Sequence, residues 1–260
     1  MGDQIIGLRE WFETPAGSYL LAWEQAQLDD AVADLFGYHA VQLGVPELDA
    51  LKRNRMPHRW LAVSEPDLRC AAVTFHADFT ALPFPANSLD LVILPHALEF
   101  SPDPHATLRE VERVLVPEGK VVICGLNPVS LWGLRQRRSR WYHRLGWGQV
   151  FLPEWGDLIG FWRLRDWLRL LSFEVETGRF GCYRPAVESA DWLRRFTWMD
   201  RVVPRFLPIA GAAYFVVATK RVRGMRLMGA QWKSAAKRST SAVPVVQQTH
   251  AAVNEKTGRK

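Results

Sequence analysis

Apolar positions along the chain follow two rhythms. Thr14 followed by Pro15 has the makings of a helix start, because Pro suits the first helical position and Thr can cap free amides. Leu20, Leu21, Trp23, Leu28, Val32, Leu35 and Phe36 then recur at roughly helical spacing up to Gly37, which predicts one long amphipathic helix. From His39 onward, short apolar runs alternate with helical stretches, the pattern of a βαβ alternation and of a largely parallel sheet. Strands are expected at 40–43, 60–63, 71–75, 89–94 and 121–124; the continuous apolar run 89–94 is of the type buried on both faces. Helices are expected over 45–53, with Pro46 near the start, and after the Asp103-Pro104 cap, where Leu108, Val111 and Leu115 form a stripe and Gly119 lies near the end. Helical periodicity returns over 161–171, followed by strands at 173–175 and 212–218. No internal repeat is visible.

Charge divides the chain. Of 260 residues, 33 are Lys or Arg and 27 are Asp or Glu, a net charge of +6. Residues 220–260 hold ten basic residues and one acid, a balance of +9, so the first 219 residues are mildly acidic at −3. A basic tail therefore does not mark the body as a nucleic-acid protein, and no specific nucleic acid is expected as partner. Three segments are expected: an N-terminal helical segment at 1–38, an α/β domain at 39–221, and a basic tail at 222–260 without fixed structure. Within the domain, an elaboration at about 131–160 stands out. Leu131 to Gly148 contains Arg135, Arg137, Arg138, Arg140 and Arg144 and no acid, and residues 131–198 hold eight of the 12 Trp.

With 48% of residues apolar, the chain can bury a sizeable core. The apolar run 206–218 is too short to cross a bilayer, which takes roughly 18–20 residues, and no apolar signal core precedes Phe12. Cys70, Cys124 and Cys182 are odd in number and far apart, with no metal-ligand spacing. A cytoplasmic location and no metal are the expectation.

The segment 75–127, FHADFTALPFPANSLDLVILPHALEFSPDPHATLREVERVLVPEGKVVICGLN, carries five motifs in order. These are Asp78 with Leu82-Pro83-Phe84, Leu89-Asp90-Leu91-Val92, Pro95-His96-Ala97-Leu98-Glu99, Glu110 through Glu118-Gly119, and Val121 to Cys124. In order and spacing the segment resembles the class I S-adenosylmethionine-dependent methyltransferases, in particular their type 11, small-molecule branch. The resemblance implies an α/β fold, a Rossmann-like seven-stranded methyltransferase sheet with helices on both faces, and S-adenosylmethionine as cofactor.

In that family strand one ends in a Gly-x-Gly-x-Gly turn, whose missing side chains let the backbone approach the cofactor's methionine moiety. Here the loop reads Leu43-Gly44-Val45-Pro46-Glu47-Leu48, which keeps Gly44 alone, while Val45 and Pro46 add bulk and Pro46 removes an amide donor. By the same resemblance Leu43, Gly44, Glu65, Asp78, Phe79 and Pro95 are the cofactor residues. Glu65 falls where the family places an acid on the ribose hydroxyls, and Asp78 with Phe79 where it meets the adenine.

Methyl transfer to an acceptor that must lose a proton needs a base, and His96 and Glu99, just past strand four, are the candidates. The Arg- and Trp-rich elaboration points to a small-molecule acceptor that is acidic or lipid-associated. The competing reading is a noncatalytic binding or regulatory protein that has lost tight cofactor binding through its glycine-poor loop. Nothing in the sequence fixes the oligomeric state.

Overall fold

The computed structural model describes residues 9–64, 72–144, 152, 158–187 and 189–221. Thr14 acts as the cap its position suggests: its hydroxyl accepts from the Gly17 amide at 3.1 Å and Pro15 opens α1, Pro15–Ala33. Leu20, Leu28 and Val32 on one stripe of α1 are fully buried, each contributing about 1.5–3 kcal/mol relative to exposure. Next come β1 (His39–Leu43), β2 (His58–Val63), β3 (Phe75–His76) and β4 (Leu89–Pro95). After β4 the chain forms α2 (Ala97–Phe100), α3 (Pro104–Val114), β5 (Leu115–Leu126) and α4 (Leu131–Arg144). It then forms α5 (Phe161–Leu170), β6 (Phe173–Gly181), α6 (Ala190–Arg195), α7 (Met199–Phe206) and β7 (Ala213–Lys220).

The strands make one seven-stranded sheet in the order β3-β2-β1-β4-β5-β7-β6. All neighbouring pairs from β3 to β5 are parallel, and β7 inserts antiparallel between β5 and β6. The order reverses between β1 and β4, which opens a crevice at the carboxyl ends of those two strands. Each face of the sheet has its own core. On one, α1 and Trp132 pack with Leu91, Ile93, Val122, Cys124 and Phe215. On the other, Leu108 and Val111 of α3 and Leu164 and Leu168 of α5 cover Val92, Leu94, Val121, Ile123 and Val216. Asp103 caps α3 by accepting from the Ala106 amide at 2.9 Å.

The helix expected over 45–53 does not form; turns occupy that stretch. Gln42, buried on β1, supplies the reason. Its Nε2 donates to the carbonyls of Val45 at 2.9 Å and Leu48 at 2.6 Å, and lies 3.2 Å from that of Gly44. Its Oε1 accepts from the Ala50 amide at 3.0 Å. One side chain thus engages carbonyls that helical bonds would use, and Val45 sits at φ 38°, outside the helical basin. The third strand is shorter than the expected 71–75 and shifted to Phe75–His76, where it meets Ala62 and Val63 of β2. The helix after Asp103 ends at Val114, before Gly119, and β5 begins at Leu115. Strand six extends well past 175, because β7 pairs with it as far as Gly181. The expected tail at 222–260 lies outside the described residues.

Gly181, at the end of β6, lies against the Trp23 side chain of α1. A Cβ there would lie 2.0 Å from Cε2 of Trp23. Gly181→Ala is therefore expected to displace Trp23 and destabilise the fold by about 1–3 kcal/mol, read as a lowered midpoint in urea unfolding at unchanged m-value.

Candidate functional site

The crevice between β1 and β4 gathers the first group of site residues. Gly44 follows β1 with φ +86°, a backbone conformation that glycine adopts without strain. A Cβ built on it would lie 3.7 Å from the Ala97 Cβ, 3.7 Å from the Pro95 carbonyl oxygen and 3.8 Å from Cε2 of Phe79. The structure thus brings Gly44, Phe79 and Pro95 together at the end of β1, with Leu43 buried immediately before them. The next residue, Val45, is buried and holds a left-handed φ of 38°, which is strained for a β-branched side chain.

Asp78 stands at the exposed rim. Its Oδ1 accepts from both the amide and the hydroxyl of Thr80 at 2.8 Å, and these bonds hold its carboxyl below the usual range. The loop behind it is clamped from α3. Glu110 Oε1 accepts from the Leu82 amide at 2.7 Å, and Arg113 donates to the Phe84 carbonyl at 2.8 Å while pairing with Glu110 at 2.6 Å. The Glu-x-x-Arg spacing of α3 therefore fixes the Leu82-Pro83-Phe84 loop, and through it the approach of Phe79. Glu65 lies outside the described residues.

His96 and Glu99 follow β4 as their sequence positions require, but neither opens onto solvent: they are 0% and 3% exposed. His96 has φ 53° and begins α2. Its Nδ1 lies 2.8 Å from Glu99 Oε2, and its Nε2 lies 2.9 Å from Oε1 of Glu24 on α1, an ionic approach outside directed hydrogen-bond geometry. Glu99 Oε1 accepts from the Leu126 amide at 2.6 Å. Burial alone would lower the imidazole pKa, but two carboxylates outweigh it and raise it to about 10. Burial also pushes Glu99 up, opposed by His96 and the Leu126 amide. The result is a carboxylate–imidazolium–carboxylate cluster spanning α1, the end of β4 and the end of β5. Glu24 and Gln42 are site-supporting residues absent from the sequence reading. The signal for Glu24 was available: it stands between Leu20 and Leu28 on the buried stripe of α1, where a carboxylate needs a partner.

The Arg- and Trp-rich stretch is partly described. Trp132 is buried and donates from Nε1 to the Arg184 carbonyl at 2.9 Å, and Arg135 donates to the Ala186 carbonyl, while Arg137 and Arg138 are exposed. The stretch 145–157, apart from Leu152, lies outside the described residues. A cavity of about 440 Å³ lined by Arg165, Arg169, Phe173 and Arg221 lies at the start of β6, at the opposite end of the strands from the crevice. Among the described residues no group of three or more His, Cys, Asp or Glu is placed to hold a metal. No described helix is long and apolar enough to cross a membrane.

Comparison with known proteins agrees with this geometry. Residues 46–123 match the type 11 methyltransferase domain. The uncharacterized protein YafS of Escherichia coli is 28% identical over 217 residues, 81% of this chain and 80% of its own. A malonyl-[acyl-carrier protein] O-methyltransferase of Halorhodospira halophila is 38% identical over 97 residues, 37% of this chain but only 29% of that enzyme. A solved S-adenosylmethionine-dependent methyltransferase of Thermotoga maritima, described as a possible histamine N-methyltransferase, shares the fold with a TM-score of 0.55 at 18% identity, over 82% of this chain and 94% of its own. The strand order, the crevice at its reversal and the matched motifs agree: residues 46–123 match a type 11 methyltransferase domain, and the chain shares its fold with S-adenosylmethionine-dependent methyltransferases.

Proposed function

We propose that the chain transfers a methyl group from S-adenosylmethionine to a small acceptor that is acidic or lipid-associated, in the cytoplasm. The observation that carries the reading is the convergence of Gly44, Phe79 and the Pro95 carbonyl at the crevice. Its chemistry fits the cofactor: an aromatic ring suits a nucleobase, a carbonyl suits an ammonium, and a glycine permits close backbone approach. When bound, S-adenosylmethionine supplies an electrophilic methyl on a sulfonium. The protein's part is to hold an acceptor in line with it, with Asp78 and Phe79 on the adenosine side and Leu43, Gly44 and Pro95 near the methionine moiety. Glu65 is the further candidate for the ribose.

In this reading His96 and Glu99 are positioning residues. Buried with Glu24, they hold the turn after β4, so that the Pro95 carbonyl and Ala97 keep their places beside Gly44. The malonyl-carrier methyltransferase among the relatives, named for an acidic substrate, supports an acidic acceptor, as do the exposed Arg137 and Arg138. The buried, unpaired thiols of Cys124 and Cys182 support a reducing compartment. Isothermal titration with S-adenosylmethionine and with its demethylated product is the test. Saturable binding of both is expected; no heat and no thermal shift at millimolar ligand would replace this reading with a noncatalytic one.

A further inference from the structure

The connection from β6 to β7 contains a helix held from one side only. α7 has no buried residue, yet it is anchored through Asp200. That carboxylate accepts from the Tyr19 hydroxyl, from Arg184 Nε at 2.8 Å and from the Tyr183 amide at 3.3 Å. The turn after α7 is tied down as well. Tyr183 donates to the Pro208 carbonyl at 2.5 Å, and Asn127 Nδ2 to the Ile209 carbonyl at 2.8 Å.

Helical geometry then decides what faces outward. At about 100° per residue, Arg201, Arg205, Trp198, Val202 and Phe206 fall in that order around an arc of about 140°, with Asp200 on the far side. Trp198 belongs to this count because its backbone is already helical, with φ −62° and ψ −25°. The apolar members of the arc are 55%, 40% and 77% exposed for Trp198, Val202 and Phe206. Arg201 and Arg205 border them on one side and have no acidic partner among the described residues, while Asp191 and Asp200, the acids among the described residues of this connection, are paired with Arg194 and Arg184.

We propose that α7 and the adjoining turn form a docking face for a bilayer surface bearing anionic headgroups. An aromatic and aliphatic stripe bordered by arginines, on a helix fixed from behind, suits the boundary between acyl chains and headgroups. The apolar side chains enter, and the guanidinium groups reach outward to phosphates. The inference extends the lipid-associated acceptor proposed above to a surface, and it holds equally for an acceptor that is not a lipid.

Co-sedimentation of the full chain with phosphatidylcholine vesicles, with and without phosphatidylglycerol, tests it in the absence of cofactor. The native chain is expected to bind the anionic vesicles and to leave the neutral ones largely unbound. The double variant R201Q/R205Q is expected to lose about 30-fold in affinity for the anionic vesicles, since each arginine near such a surface contributes about fivefold. Trp198→Ala with Phe206→Ala should lose at least about tenfold through the apolar contribution. All four side chains are exposed, so melting temperatures should stay near native, and each pair serves as the control for the other. Binding of both pairs within about twofold of native would overturn the proposal and assign the attraction to residues 220–260. Equal binding to neutral vesicles, or none by the native chain, would overturn it too. Titration with S-adenosylmethionine reads the methyl-transfer reading separately, because α7 contributes no residue to the crevice.

Discussion

Substitution of His96 by alanine is expected to lower the stability of the protein by about 3–5 kcal/mol, the range found when one partner is removed from a buried ion cluster. The imidazolium stands between Glu24 and Glu99 at 2.9 and 2.8 Å in a site closed to water. Without it, two carboxylates share an apolar interior, with the Leu126 amide as the directed donor among the described residues. For a chain of this size the loss corresponds to a melting temperature lower by about 6–20 °C. The triple variant with Glu24→Gln and Glu99→Gln should recover part of the loss, because it removes the stranded charges while leaving the cavity.

The pH dependence distinguishes electrostatics from packing. His96 holds its proton up to about pH 10 in the fold against an ordinary value of 6.5, so its stabilisation is complete below pH 6.5 and is lost as pH rises through 10. Glu99 is also shifted upward and acts in the same direction, its buried carboxylate costing stability as pH rises above the ordinary carboxyl range. Thermal unfolding from pH 6.5 to 10 should show a declining melting temperature in the native chain and a flatter profile in the His96→Ala variant. Parallel profiles would show that the cluster is held by packing and not by charge.

Gly44→Val is expected to weaken S-adenosylmethionine binding by at least about 100-fold, or roughly 2.7 kcal/mol. Two effects combine. A β-branched residue at φ +86° is strained by about 1–3 kcal/mol, and Val45 beside it already carries strain of the same kind. The new side chain would also grow from a Cβ already in van der Waals contact with Pro95, Ala97 and Phe79, filling the space onto which the Gly44 backbone opens. Calorimetry on a variant first shown to be folded by circular dichroism is the measurement. Retention of affinity within threefold would remove Gly44 from the cofactor site.

Most of the sheet is legible in the sequence because its strands are continuous apolar runs and its two capped helices begin with Pro behind Thr14 and Asp103. What escapes the sequence is set by single long-range contacts. Residues 45–53 have helical spacing, and the chain is kept from a helix there by one buried amide, Gln42. The end of strand six depends on where β7 runs beside it, some 35 residues later. His96 and Glu99 are legible as a pair beyond strand four, whereas their burial is not, because the residue that closes over them, Glu24, comes from the N-terminal helix 72 residues earlier. α6 and α7 are short, and α7 contains Pro204, so their periodicity does not rise above that of a loop.

The insertion of β7 between β5 and β6 has a consequence for the order in which the protein can assemble. β6 borders β7 and no other strand, so until residues 213–220 leave the ribosome it has no place in the sheet, and β5 presents an open edge. α1 packs with β4 and β5 as they form, but the part of its surface supplied by Gly181 and Phe215 exists only after nearly the whole domain has been made. A nascent chain halted before residue 213 therefore leaves part of the apolar stripe of α1 uncovered beside an unpaired strand edge, both features that chaperones recognise, and the eight-residue strand β7 covers the two together.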